Sequence, residues 1–145
     1  MARLQPGAWQ AHRLAALALA LGAAGIAPEQ WHGPTWPRWA LIAHGMALVG
    51  HDGTRPLGFQ LEQAGVSASR VNTLLNARGT ALMQLLPRIL RLLASKGVAP
   101  NWCELGELLL LEASSERSTQ AKAEQIRLRI AGPYFSALAH RASKA

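Results

Sequence analysis

The sequence predicts an all-α protein, a helical bundle of six to seven helices with two small helical halves. Three observations carry that expectation. Leu and Ala dominate while β-branched residues are scarce, a balance that favours helices over strands. Apolar residues recur at i, i+3, i+4 and i+7 in segment after segment. Gly and Pro gather between those segments, where they punctuate rather than break them. A chain of 145 residues, half of them apolar, is long enough for a real core. The expected division is an N-terminal helical part over 1–50 and a C-terminal bundle over 51–145.

The elements follow in order. Ala8 to Leu21 reads as a helix between Pro6-Gly7 and Gly22. Residues 28–37, with Pro28, Gly33, Pro34 and Pro37, read as a loop that no helix crosses. Arg38 to Val49 resumes a helix, with Trp39, Ile42, Ala43 and Met46 at core spacing. Gly50 to Gly53 is a turn, and a short helix entered at Pro56 runs to Ala64 before Gly65. Ser67 is a suitable N-cap for a helix with Val71, Leu74, Leu75 and Arg78 on one stripe, ended by Gly79. Thr80 is placed to cap the next helix, whose Leu82, Leu85, Leu86, Ile89, Leu92 and Leu93 form a buried face. Pro87 in that pattern predicts a kink near Leu86 or two abutting helices. Trp102 to Glu112 is helical, and its Glu104, Glu107 and Glu112 are expected to face the basic row of the preceding helix. A final helix from about Thr119 to His140 is expected to be interrupted at Gly132-Pro133.

Charge supplies the functional signal. From Gln63 to Cys103 the chain runs 41 residues without an acidic side chain. Arg70, Arg78, Arg88, Arg91 and Lys96 lie in that window and supply +5 of the formal net charge of +7. A solvated helix surface ordinarily interleaves both signs, because opposite charges at i,i+4 support it. Removing one sign over several turns builds a positive field suited to a phosphate backbone. Gln84, Arg88, Arg91 and Ser95 fall on one exposed row, with Lys96 near its end. These five basic residues are the candidate nucleic-acid-binding set.

Other function classes find little support. The single Cys103 excludes an intrachain disulfide and a thiolate metal cluster, and beside Trp102 it reads as buried. His12, His32, His44, His51 and His140 are scattered without a third ligand at metal spacing. Asp52 sits in a turn, and there is no glycine-rich phosphate loop or paired-carboxylate motif. No enzyme, cofactor or metal is expected. Leu14 to Ala27 has the length and order of a secretory signal, but is too short to span a bilayer. The basic cluster downstream favours a packed helix and a cytoplasmic protein.

Two readings compete for Leu61 to Gly79. Ala64-Gly65-Val66-Ser67, followed by Val71, Leu74, Leu75, Asn76 and Arg78-Gly79, resembles a helix-turn-helix. Ser69, Arg70 and Asn72 would then read bases, as in a DNA-binding transcription regulator. Against it, Gln60 stands where such a module needs an apolar residue, and Leu61 where it needs a small one. The second reading covers more of the chain. Arg38-Trp39-Ala40-Leu41-Ile42-Ala43-His44, then Leu57-Gly58, Leu61 and Ala64-Gly65, then Ser67 to Val71 and Leu74 to Gly79, stand in an ordered series. Leu82, Arg88, Leu90 to Leu93 and Asn101-Trp102 continue it. This series resembles the small subunit of the type I-E CRISPR surveillance complex, Cascade (the CasB family).

The resemblance implies an all-α, non-catalytic subunit of a ribonucleoprotein. Its implied partners are other Cascade subunits, guide RNA and target DNA, with two copies per complex and no membrane. It implies backbone binding without sequence specificity, stabilising the displaced strand while guide pairing reads the target. Arg70, Arg78, Arg88 and Arg91 match the family's basic positions, and Lys96 is added on charge and helix position. Two departures stand out. The family's arginine-rich N-terminal helix is replaced by Ala-Leu sequence after Arg13. Ile130 to Phe135 replaces an aromatic-basic run, which leaves Arg127 and Arg129 without an assigned role. Trp31, Trp36, Trp39 and Trp102 read as core or subunit contacts.

Overall fold

A computed structural model describes residues 36–144, which form six helices and, among the described residues, no strand. The expected helix at Ala8 to Leu21, the signal-like run Leu14 to Ala27 and most of the 28–37 loop lie outside them. Helix α1 spans Trp36–Val49, two residues earlier than expected. Pro37 falls in its first turn, where a missing N–H costs nothing. Of its anticipated core residues Ile42 is buried and Trp39 half-buried, whereas Ala43 and Met46 are exposed. The chain divides into two units after His44, so the remainder concerns Gly45–Ala145.

That unit is organised on one long helix. Helices α2 (Leu57–Gln63), α3 (Ala68–Asn76) and α5 (Trp102–Glu112) each pack on α6 (Arg117–Ser143), and α3 also meets α4 (Gly79–Ser95). The interior is aliphatic: Leu57 and Leu61 from α2, Val71 and Leu74 from α3, Leu105, Leu108 and Leu109 from α5, Ile126 and Ile130 from α6. Helix α4 adds Leu82, Leu86, Ile89, Leu90 and Leu93. Burying each such side chain contributes roughly 1.5–3 kcal/mol, the driving term for a bundle of this size.

Close approach of α2 to α6 depends on Gly58. A Cβ there would stand 2.7 Å from the Tyr134 nitrogen and would run into the Ile130 carbonyl. Tyr134, fully buried, crosses the interior and donates its hydroxyl to the Val66 carbonyl at 2.7 Å. Burial, with the nearby Glu62 charge second, raises the pKa of that phenol above its ordinary value of 10.0. Arg141 Nε meets Glu62 Oε1 at 2.7 Å, and its Nη2 donates to Oε2 at 3.3 Å, so a bidentate pair bolts the two helices together at the rim.

Both internal prolines are accommodated without ending their helices, so neither two abutting helices at Pro87 nor the expected interruption at Gly132-Pro133 is found. Helix α4 continues through Pro87 and α6 through Gly132-Pro133 for 27 residues. Each proline removes one ladder bond, about 3 kcal/mol in an isolated helix. Apolar burial on both sides, at Leu86 and Ile89 in one case and at Ile130 and Tyr134 in the other, outweighs it. Arg129, whose carbonyl loses its partner at Pro133, lies on the exposed side of α6.

Capping repays the missing acids of the basic window. Ser67 accepts from the Arg70 amide at 3.2 Å, as expected of an N-cap. Helix α4 starts at Gly79 rather than after Thr80, with Arg78 as its N-cap residue and the Glu112 carboxylate accepting the Gly79 amide at 2.9 Å. Glu104 likewise accepts the Leu57 amide, at 3.0 Å, where α2 begins. These acids therefore do not face the basic row; they sit at the positive ends of other helices. Cys103, expected to be buried, is exposed, because the buried side of α5 is carried by Trp102, Leu105, Leu108 and Leu109.

Candidate nucleic-acid interface

The site begins with the periodicity of α4. At 3.6 residues per turn, Gln84, Arg88, Arg91 and Ser95 fall within an arc of about 60°, diametrically opposite the buried stripe. All four are exposed. Arg88 and Arg91 are one turn apart, separated by about 4.5 Å along the axis, so their side chains leave the helix from neighbouring positions. Neither has an ion-pair partner among the described residues, whereas Arg78, Arg127 and Arg141 do.

Beside the start of this row lies a shallow groove lined by Ser69, Asn72, Thr73 and Asn76 of α3 with Ala77 and Ala81. Ala81 is one turn before Gln84 and Leu85 on α4, which joins the groove to the row. The α3 side is polar and uncharged. Thr73 donates its hydroxyl to the Ser69 carbonyl at 2.9 Å, and Asn76 donates its amide to the Asn72 carbonyl at 2.7 Å. No aromatic residue lines the groove, so it offers no stacking platform.

The five predicted residues separate into different situations. Arg88 and Arg91 come together. Arg70 is exposed on α3 and belongs neither to the row nor to the groove lining. Lys96 is the C-cap of α4, turned by about 100° from the row. Arg78 is engaged: its Nη2 meets Glu124 Oε1 at 2.8 Å while Nη1 donates to the carbonyls of Leu75 and Ala77. Sequence reasoning missed Glu124, whose Oε1 also takes Arg127 Nη1 at 2.6 Å. Arg127 is buried and Arg129 is exposed without an ion pair. Only one signal pointed to Glu124, its being the single acid on a long basic helix.

Elsewhere the polar chemistry serves the fold. Gln60, which looks misplaced for a helix-turn-helix, is buried with both ends satisfied. Its amide donates to the Asp52 carbonyl at 3.0 Å and its oxygen accepts the Asn101 amide at 2.6 Å. Asp52 itself accepts from Thr54, whose hydroxyl and amide hold its carboxyl below the ordinary range. His51 Nδ1 accepts the Trp102 amide at 3.1 Å. Among the described residues no three His, Cys, Asp or Glu gather as metal ligands, and no helix is long and apolar enough to cross a membrane.

Compared with known proteins, residues 2–135 match the family described as CRISPR-associated protein Cse2 (CRISPR_cse2). No curated protein and no solved structure matches the chain.

Proposed function

From the premise that the chain belongs to the Cse2 (CasB) family, the small subunit of the type I-E CRISPR surveillance complex Cascade, we propose that it clamps nucleic-acid backbone without reading sequence. The supporting observation is the pair Arg88 and Arg91: exposed, one turn apart, opposite the buried stripe of α4, and opposed by no carboxylate among the described residues. Guanidinium forks grip phosphate oxygens two at a time and displace condensed counterions. The hydroxyls and amides of the adjoining groove suit sugar and phosphate contacts, which position a strand but do not specify it.

In the assembly this surface holds opened target DNA, in particular the displaced strand, while pairing with guide RNA selects the sequence. The contribution is positional, with no bond made or broken. Other Cascade subunits are its neighbours, and two copies per complex extend the cationic track. The protein works in the cytoplasm, where guide and target meet.

Fluorescence anisotropy with a mixed-sequence single-stranded oligodeoxynucleotide, over a salt series, tests the reading. The wild-type chain should bind weakly, equally across sequences, and less tightly as salt rises. Arg88→Ala with Arg91→Ala should weaken binding uniformly and reduce the slope of log K against log salt by about 1.4, two single-strand phosphate contacts. Unchanged affinity and slope would remove the assignment. Preference for one duplex over random DNA by orders of magnitude would replace it with a transcription regulator.

A further inference from the structure

Two arginines from different parts of the fold converge on a single carboxylate oxygen. Arg78 Nη2 lies 2.8 Å, and Arg127 Nη1 2.6 Å, from Glu124 Oε1. The cluster holds two positive charges and one negative. Arg127 is 96% buried, since its relative exposure is 4%, and its Nη2 has no hydrogen-bond partner. A buried guanidinium with an unused donor is uncommon, because that donor has given up water for nothing. The arrangement is short of one anion's worth of acceptors.

We infer that Arg78 and Arg127 form a seat for a backbone phosphate, and that Glu124 occupies it while the chain is free. This rests on the nucleic-acid reading above and adds a site to it. The two cations are fixed and the carboxylate is not. Arg78 is braced by its Nη1 bonds to the Leu75 and Ala77 carbonyls, at 3.0 and 3.1 Å, with Nη2 left to aim at Glu124. Arg127 is held by burial. The Glu124 side chain is 56% exposed and can swing into water about its own torsions.

A phosphate is the better occupant on chemical grounds. It carries acceptor oxygens in a tetrahedral spread and can give Arg78 Nη2 and Arg127 Nη1 an oxygen each. Glu124 uses one oxygen for both. It is also the single acidic residue of α6, a helix bearing Arg117, Lys122, Arg127, Arg129 and Arg141. Arg78 immediately precedes α4, so the seat belongs to the helix that carries the Arg88–Arg91 pair.

The experiment is salt-dependent binding of the same mixed-sequence single strand to the full chain. Glu124→Gln frees the seat, so affinity should rise and the salt slope should steepen by about 0.7–1.4, one or two added phosphate contacts. Glu107→Gln makes the same charge change at an exposed position of α5 and should leave the slope unaltered. Adding Arg78→Ala to Glu124→Gln should cancel the gain. A Glu124→Gln slope equal to that of Glu107→Gln would overturn the seat. With Arg88→Ala/Arg91→Ala still defective, it would leave the broader reading standing. If that double variant also binds normally, the broader reading itself falls. Should Glu124→Gln unfold at the assay temperature, the wild-type chain decides the matter. The Arg127 Nε–Hε NMR resonance should shift on titration with the strand, and a resonance that stays put overturns the seat.

Discussion

At the scale of single residues, buried polar groups carry more than their number suggests. Gln60 joins the turn at Asp52 to the start of α5 at Asn101, and both backbone groups depend on it. Gln60→Leu, the apolar choice a helix-turn-helix would make, leaves two orphans. It should cost about 2–6 kcal/mol in denaturant unfolding, each orphan contributing roughly 1–3. Tyr134→Phe strands the Val66 carbonyl and should cost about 1 kcal/mol at neutral pH. The folded phenol titrates above 10.0, so its stabilisation is complete below pH 10 and is lost as pH climbs through the raised value. The difference between wild type and Tyr134→Phe should therefore shrink in unfolding curves above pH 10. Neither residue's role was legible beforehand. A glutamine's polarity is visible in a sequence, but the two backbone groups it will satisfy, Asp52 and Asn101, are fixed only by the fold.

At the scale of elements, most helices were legible because their apolar stripes repeat at helical spacing, as at Leu82, Leu86, Ile89 and Leu93. The break expected at Gly132-Pro133 was misjudged for a physical reason. Local sequence shows the lost hydrogen bond at Pro87 and Pro133 but not the burial on either side that outweighs it. Gly58 shows the reverse: an ordinary helical glycine by sequence, but a spacer in the fold. Gly58→Ala should push α2 off α6 and destabilise the unit by about 1–3 kcal/mol or more, read as a drop in melting temperature. Gly65, with φ +76 and nothing near its missing side chain, should instead suffer only from backbone strain on mutation to Ala. The same measurement should give it the smaller loss.

Across the whole molecule, the sequence shows how much charge there is but not where its counterions go. The 41-residue acid-free window was plain. That Glu104 and Glu112 would cap α2 and α4, and that Glu124 would engage Arg78, was not, because each bond joins residues more than 30 positions apart. These absences leave Arg88 and Arg91 unopposed, and they are the core of the candidate site. The central place of α6 also has a temporal side. Gly58 and Val66 find their counterparts in Ile130 and Tyr134, some seventy residues downstream. During synthesis, then, a nascent polypeptide halted near Leu109 has an open interior and should be cut readily by protease. One halted well beyond Tyr134, with that residue clear of the ribosomal tunnel, should resist.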